Sequence, residues 1–175
     1  PHCYSLPALA PGSHHIKIRI DNSPSSVPAE IQSSHAWTDG TQTNWNGILG
    51  DFYIEATPHT YLEQVQVYPS VKEKKARIHV NIYSDSEQSG VVTLSAKTWN
   101  TQQEHLLLDM EKQVGLSKGE NKIELTLDMG NRMQTWSEFH PTLYALNVTL
   151  ATNEGKDNII TDFGMRDFAT EGTQF

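Results

Sequence analysis

The chain has 175 residues, a formal net charge of −8 and a single cysteine, Cys3. That length is one large domain or one and a half small ones, and it suffices to bury a core. The acidic balance argues against nucleic acid or an anionic membrane as the main partner. No apolar run approaches a bilayer span, and one cysteine allows no internal disulfide.

Residues 1–10 are irregular, and Pro1 opens the chain without a basic, apolar leader. Pro11-Gly12 is a turn signal. Ile16, Ile18 and Ile20 then alternate with Lys17, Arg19 and Asp21, the period of a half-buried strand. His14 and His15 would point to opposite faces of it, so they cannot chelate one ion together, and no metal site is expected. Asp21 to Gly40 is rich in Ser, Pro and Asn, with His35 and Trp37 near its end. A loop this long is usually functional or disordered.

Gln42 to Gly50 is the most pointed stretch. Asn44 and Asn46 flank Trp45, and Gly47 and Gly50 bracket Ile48-Leu49 before a strand at Phe52–Glu55. Glycine permits positive φ, so this reads as a tight polar loop feeding a strand. Asn supplies the paired donors and acceptors that sugar hydroxyls need, and an indole packs on the C–H face of a sugar. A buried Trp among turn-forming Asn residues leaves the same pattern.

From Tyr61 the chain becomes a run of short strands. Val65 and Val67 alternate with Gln64 and Gln66, and Tyr68-Pro69 is expected to end that strand. Lys72–Lys75 is a charged turn. Ile78, Val80 and Ile82 share one face, as do Val92, Leu94 and Ala96 after a loop at 84–90. Leu106-Leu107-Leu108 is a short strand of undecided face. Ile123, Leu125 and Leu127 follow, then Leu146, Val148 and Leu150, then Ile159, Thr161, Phe163 and Met165. About seven strands at roughly 10–15-residue spacing, with no convincing helix, predict an all-β antiparallel sandwich. Asn147-Val148-Thr149 fits a glycosylation acceptor but sits mid-strand, which disfavours modification.

Three ordered stretches carry a resemblance. Asn44 to Ala56 resembles the loop and strand that end the N-terminal sugar-binding jelly roll of family 2 glycoside hydrolases, the β-galactosidase and β-glucuronidase group. Trp136-Ser137-Glu138-Phe139-His140-Pro141-Thr142-Leu143-Tyr144 resembles its W-S-x-x-x-P-x-L-Y signature. Phe163-Gly164-Met165-Arg166-Asp167-Phe168 resembles its F-G-x-R signature. The resemblance implies three parts: residues 1–57 as the end of the jelly roll, 58–168 as an immunoglobulin-like sandwich, and 169–175 as the start of a connection to a catalytic barrel. It also implies that Trp136 and Leu143 pack inward. Asn44, Trp45 and Asn46 match the loop that approaches the barrel mouth and shapes the substrate subsite. Some relatives hold a cation with an acidic residue there; Asn44 is an uncharged, weaker ligand. Gly50 stands where relatives often carry Arg.

Retaining glycosidases use two carboxyl groups about 5–5.5 Å apart. The family carries both on a (β/α)₈ barrel, which alternating strands cannot supply. No catalytic residue and no cofactor is therefore expected in this chain. Glu138 and His140 invite an acid/base reading, but in the family they lie on a structural crossover. The expected role is a non-catalytic portion of a β-galactosidase-like enzyme that hydrolyses β-glycosidic bonds with retention. Its partners are then a carbohydrate substrate and its own barrel. Residues 1–56 either dock on the sandwich or pair with the same segment of a second molecule, giving a homodimer. The family suggests a periplasmic or secreted location. The rival is a stand-alone carbohydrate-binding or adhesion sandwich.

Overall fold

The computed structural model describes residues 4, 6, 7, 9–21, 23–26, 28–32 and 47–169. The chain divides into two units, Pro1–Ile54 and Glu55–Phe175. In the first, Pro24–Ser26 and Ala29–Ile31 form single 3₁₀ turns. The Asp21 carboxylate accepts from the Ser23 hydroxyl at 2.7 Å and from the Ser23 N–H at 3.1 Å, and it pairs with Arg19. These bonds hold its pKa below the usual carboxylate value. The strands expected at Ile16–Ile20 and Phe52–Glu55 do not form. Ile16, Ile18 and Ile20 all remain exposed. Alternation sets which face of a strand is buried, but a strand also needs a neighbour to take its backbone hydrogen bonds. Gly47 has a φ of 101°, the conformation that the loop reading requires of a glycine.

The second unit holds seven strands among the described residues: β1 Thr60–Ser70, β2 Lys75–Ser84, β3 Gln88–Thr98, β4 Leu106–Leu116, β5 Gly119–Asp128, β6 Tyr144–Thr152 and β7 Gly155–Phe163. All pairings are antiparallel. One sheet has the order β1-β2-β5 and the other β4-β3-β6-β7. This is an all-β sandwich, with the fourth strand joined to the third rather than to the first sheet as in constant-type immunoglobulin domains.

Alternate residues of the central strands face inward. Ala76, Ile78, Val80 and Ile82 of β2 meet Val92, Leu94 and Ala96 of β3 and Leu146, Val148 and Leu150 of β6 in one buried cluster. Two irregularities reset the alternation. Between Leu62 and Gln64 the register of β1 against β2 shifts, so Leu62 points inward before it and Val65 and Val67 after it. Between Leu94 and Ala96 the register of β3 against β4 shifts as well. Leu107 and Met110 both pack on the core as a result, while Leu106 is exposed.

Two sequence expectations change here. β1 does not end at Pro69; it runs through to Ser70, with Pro69 paired to Ala76. β1 is an edge strand, where the N–H that proline lacks is not needed. The inward aromatic of the second signature is Tyr144, fully buried, whereas Leu143 is only half-buried. Tyr144 lies in phase with Leu146 and Val148, which places Leu143 on the opposite face.

Tyr144 brings a hydroxyl into the core, and the chain provides for it. Its ring stacks on Phe163 at 5.4 Å and meets His105 edge-on at 5.7 Å. Its oxygen accepts the Gln134 N–H at 2.9 Å and lies 2.7 Å from His105 Nδ1. His105 is itself buried, and its backbone N–H donates to Thr98 Oγ1 at 2.8 Å. The tyrosine oxygen is thus engaged by both the Gln134 N–H and the imidazole Nδ1. Burial lowers the His105 pKa, Arg132 lowers it further, and burial raises that of Tyr144.

A depressed histidine pKa ties stability to pH with a definite sign. Below the ordinary value of 6.5 the unfolded chain takes up a proton that the fold refuses. Stability should therefore fall as pH drops from 6.5 towards the lower folded value. Urea midpoints at pH 7.5 and 5.5 should fall further for the wild type than for His105→Asn, which keeps an acceptor but cannot titrate. Equal pH dependence in the two proteins would show that His105 carries none of it.

Candidate functional site

Of the sequence-predicted site residues, Asn44, Trp45 and Asn46 lie outside the described residues. The other two signature stretches, far apart in sequence, meet at one corner of the sandwich. Residues 129–143 connect β5 to β6 and cross the end of the core. Asp128 accepts the Gly130 N–H at 2.9 Å, and Gly130 takes a φ of 63°. The buried Met129 donates its N–H to the Lys74 carbonyl at 2.9 Å. The chain is thereby turned towards β7.

Trp136 is the hub of the crossover. Its N–H donates to the Met165 carbonyl at 2.9 Å, which ties the crossover to the chain just beyond β7. It forms an isolated bridge with Pro141. Between them the Ser137 N–H donates to the His140 carbonyl at 3.0 Å, and the His140 N–H donates to Ser137 Oγ at 3.1 Å. Asn100 secures the far side: its amide donates to the Pro141 carbonyl, and its Oδ1 accepts the Leu143 N–H at 2.6 Å. Trp99 adds a bond from its indole N–H to Asp162 at 3.1 Å.

The last signature closes over the same indole. A Cβ on Gly164 would lie 2.9 Å from the Trp136 Cβ, so only a glycine lets the two segments approach this closely. Arg166 lies 4.8 Å from the Trp136 ring centroid, a cation–π distance, and 4.0 Å from the Glu138 carboxylate. Asp167 accepts the Val71 N–H at 2.7 Å and the Lys72 N–H at 3.3 Å, binding the exit of β7 to the β1–β2 turn.

Glu138 and His140 are exposed, and Glu138 is paired with Arg166. Among the described residues no group of three or more His, Cys, Asp and Glu side chains could hold a metal ion. A shallow depression of about 560 Å³ lies elsewhere, along the start of β3, lined by Glu87, Gln88, Gln113 and Asn153 among others. Sequence reasoning missed Asn100, His105 and Asp167. Each lies just outside a strand, where no period marks a residue as important. Asp167 alone carried a signal, standing directly after the F-G-x-R stretch.

The family model for glycosyl hydrolases family 2 matches residues 60–166. The chain belongs to that family. The match spans every strand of the sandwich and both signatures at the corner. No curated protein sequence matches it. Among solved structures, the fold is similar to that of Bacteroides uniformis beta-glucuronidase, with a TM-score of 0.51 at 15% identity, covering 62% of this chain and 14% of that one. A calcium-binding mutant of Bacteroides uniformis beta-glucuronidase 2 gives 0.52 at 15% identity, with the same 62% and 14% coverage. At that identity the likeness is one of fold. The chain thus spans about one seventh of the length of these family 2 structures.

The corner makes a stability prediction. Gly164→Ala should lower unfolding free energy by about 1–3 kcal/mol, because the new methyl must displace the Trp136 side chain or the backbone. Gly115→Ala, where a Cβ meets nothing within 4 Å, is the control and should be near neutral. Urea unfolding of both variants checks it; equal effects would show that the contact tolerates a side chain.

Proposed function

We propose that the chain is a non-catalytic sandwich portion of a family 2 glycosidase that hydrolyses β-glycosidic bonds with retention. It braces the catalytic barrel and holds the Asn44-Trp45-Asn46 loop at the entrance to the active site. The observation that carries this reading is the corner itself. Both signature stretches are used up in bonding to each other, with Trp136 and Arg166 engaged in packing and Glu138 in an ion pair, which is what a bracing element needs and a catalytic one does not. Phe139, 88% exposed in the bonded turn between Ser137 and His140, offers an apolar anchor to the barrel. The matched structures are named as glucuronidases, and the match takes up only 14% of their length, which supports a glycosidase class without fixing the sugar.

The purified chain should hydrolyse aryl β-galactosides, β-glucuronides and β-mannosides only at background. Turnover abolished by Glu138→Gln would overturn the proposal. In a polypeptide carrying both sandwich and barrel, Trp45→Ala should lower kcat/KM about fivefold, the worth of one aromatic contact of roughly 1 kcal/mol, with little change in Tm. A lowered Tm with unchanged kcat/KM would make Trp45 a core residue instead.

A further inference from the structure

The outer face of the β1-β2-β5 sheet carries an organised surface that the bracing role does not use. Past the irregularity in β1, Gln64, Gln66 and Tyr68 point outward beside Arg77, His79 and Asn81 of β2. Tyr68 is 44% exposed, yet its ring is fixed. It lies 4.6 Å from the His79 ring, and its hydroxyl donates to Gln66 Oε1 at 3.2 Å. His79 Nε2 is 3.3 Å from the Glu124 carboxylate of β5. One step along, the Asn81 amide reaches Gln64 Oε1 at 3.4 Å. A second ring pair, Tyr61 with Tyr83 at 5.5 Å, lies four residues further along β2, about 13 Å away at the rise of a strand.

We propose that this face binds a neutral, linear glycan laid along β1 and β2, with the Tyr68–His79 pair as its principal stacking platform. The chemistry selects that occupant. The Tyr68–His79 pair offers a ring face for sugar C–H groups, and the amides beside it offer donors and acceptors for hydroxyls. The rings are held before any ligand arrives, so little side-chain freedom is lost on binding. The charges on the face are mixed, with no cationic excess: Lys75, Arg77 and Lys122 against Glu63, Glu120, Glu124 and Asp128. A surface with no excess of cations does not attract a polyanion, and an uncharged chain meets no charge penalty there. Binding here needs no catalytic partner, so it stands or falls apart from the glycosidase reading.

The test is electrophoresis of the purified chain through native gels containing hydroxyethylcellulose or β-1,4-galactan, with polygalacturonate as the charged control. At least one neutral polymer should retard the chain, and polygalacturonate should not. Tyr68→Ala should weaken the association about fivefold, while Tyr68→Phe, which keeps the ring, should retain most of it. If circular dichroism shows Tyr68→Ala to be misfolded, Gln66→Ala replaces it and should weaken binding about threefold, as the loss of one hydrogen bond would. Retardation by neither neutral polymer, equal retardation by polygalacturonate, or a folded variant that binds like the wild type overturns the proposal. So does light scattering that shows a dimer dissociated by Tyr68→Ala, which would make the face an interface between two copies.

Discussion

Two facing rows of aliphatic side chains hold together sheets that no covalent bond joins. Ile78, Val80 and Ile82 on one sheet and Val92, Leu94, Leu146, Val148 and Leu150 on the other are all but fully buried. Each contributes about 1.5–3 kcal/mol by leaving water, against the entropy of ordering the chain. The only cysteine, Cys3, precedes the sandwich, so no internal disulfide can share that task. Everything else in the unit must keep these rows in phase, because a slip of one residue would turn a whole row to solvent.

Phase is kept by the ladders, and the ladders end at exposed edges that polar side chains cover. β1 and β7 adjoin on one side of the sandwich. There the Leu62 N–H, next to the irregularity, donates to the Asp157 carboxylate at 2.8 Å. On β5, the Lys112 ammonium reaches across from β4 to the Glu124 carbonyl at 3.3 Å. Charged side chains satisfying edge groups remove the template that another strand could use. One end of the sandwich is further linked by Thr60, Ser84, Gln88 and Glu154, with Gln88 Nε2 donating to Thr60 Oγ1 at 2.7 Å and to Glu154 at 3.1 Å.

The seven strands were legible because their inward residues follow a period of two, and that period is a direct image of a sheet with one buried face. Legibility failed where the pattern is broken on purpose. Leu106-Leu107-Leu108 could not be assigned a face because β4 changes phase within it. Pro69 read as a stop because sequence does not show that β1 is an edge. His105 was invisible, since a lone histidine looks the same whether it lies in water or under Tyr144. The corner is half legible: both signatures stand in the sequence, but nothing in either says that Gly164 lies against Trp136. The alternation of Ile16, Ile18 and Ile20 was real as a pattern and produced no strand, because a pattern names a face and cannot supply the strand beside it.

The bonds of Asp167 to the β1–β2 turn have a mechanical consequence. Together with the Trp136 bond to Met165, they grip the chain on both flanks just after β7, as a collar grips a shaft. A residue held at one point can swivel, whereas one held at two separated points has its direction fixed. Any hinge on this side of the sandwich must therefore lie beyond Asp167, and a bending force applied there is carried into the body of both sheets and not absorbed by the last strand alone.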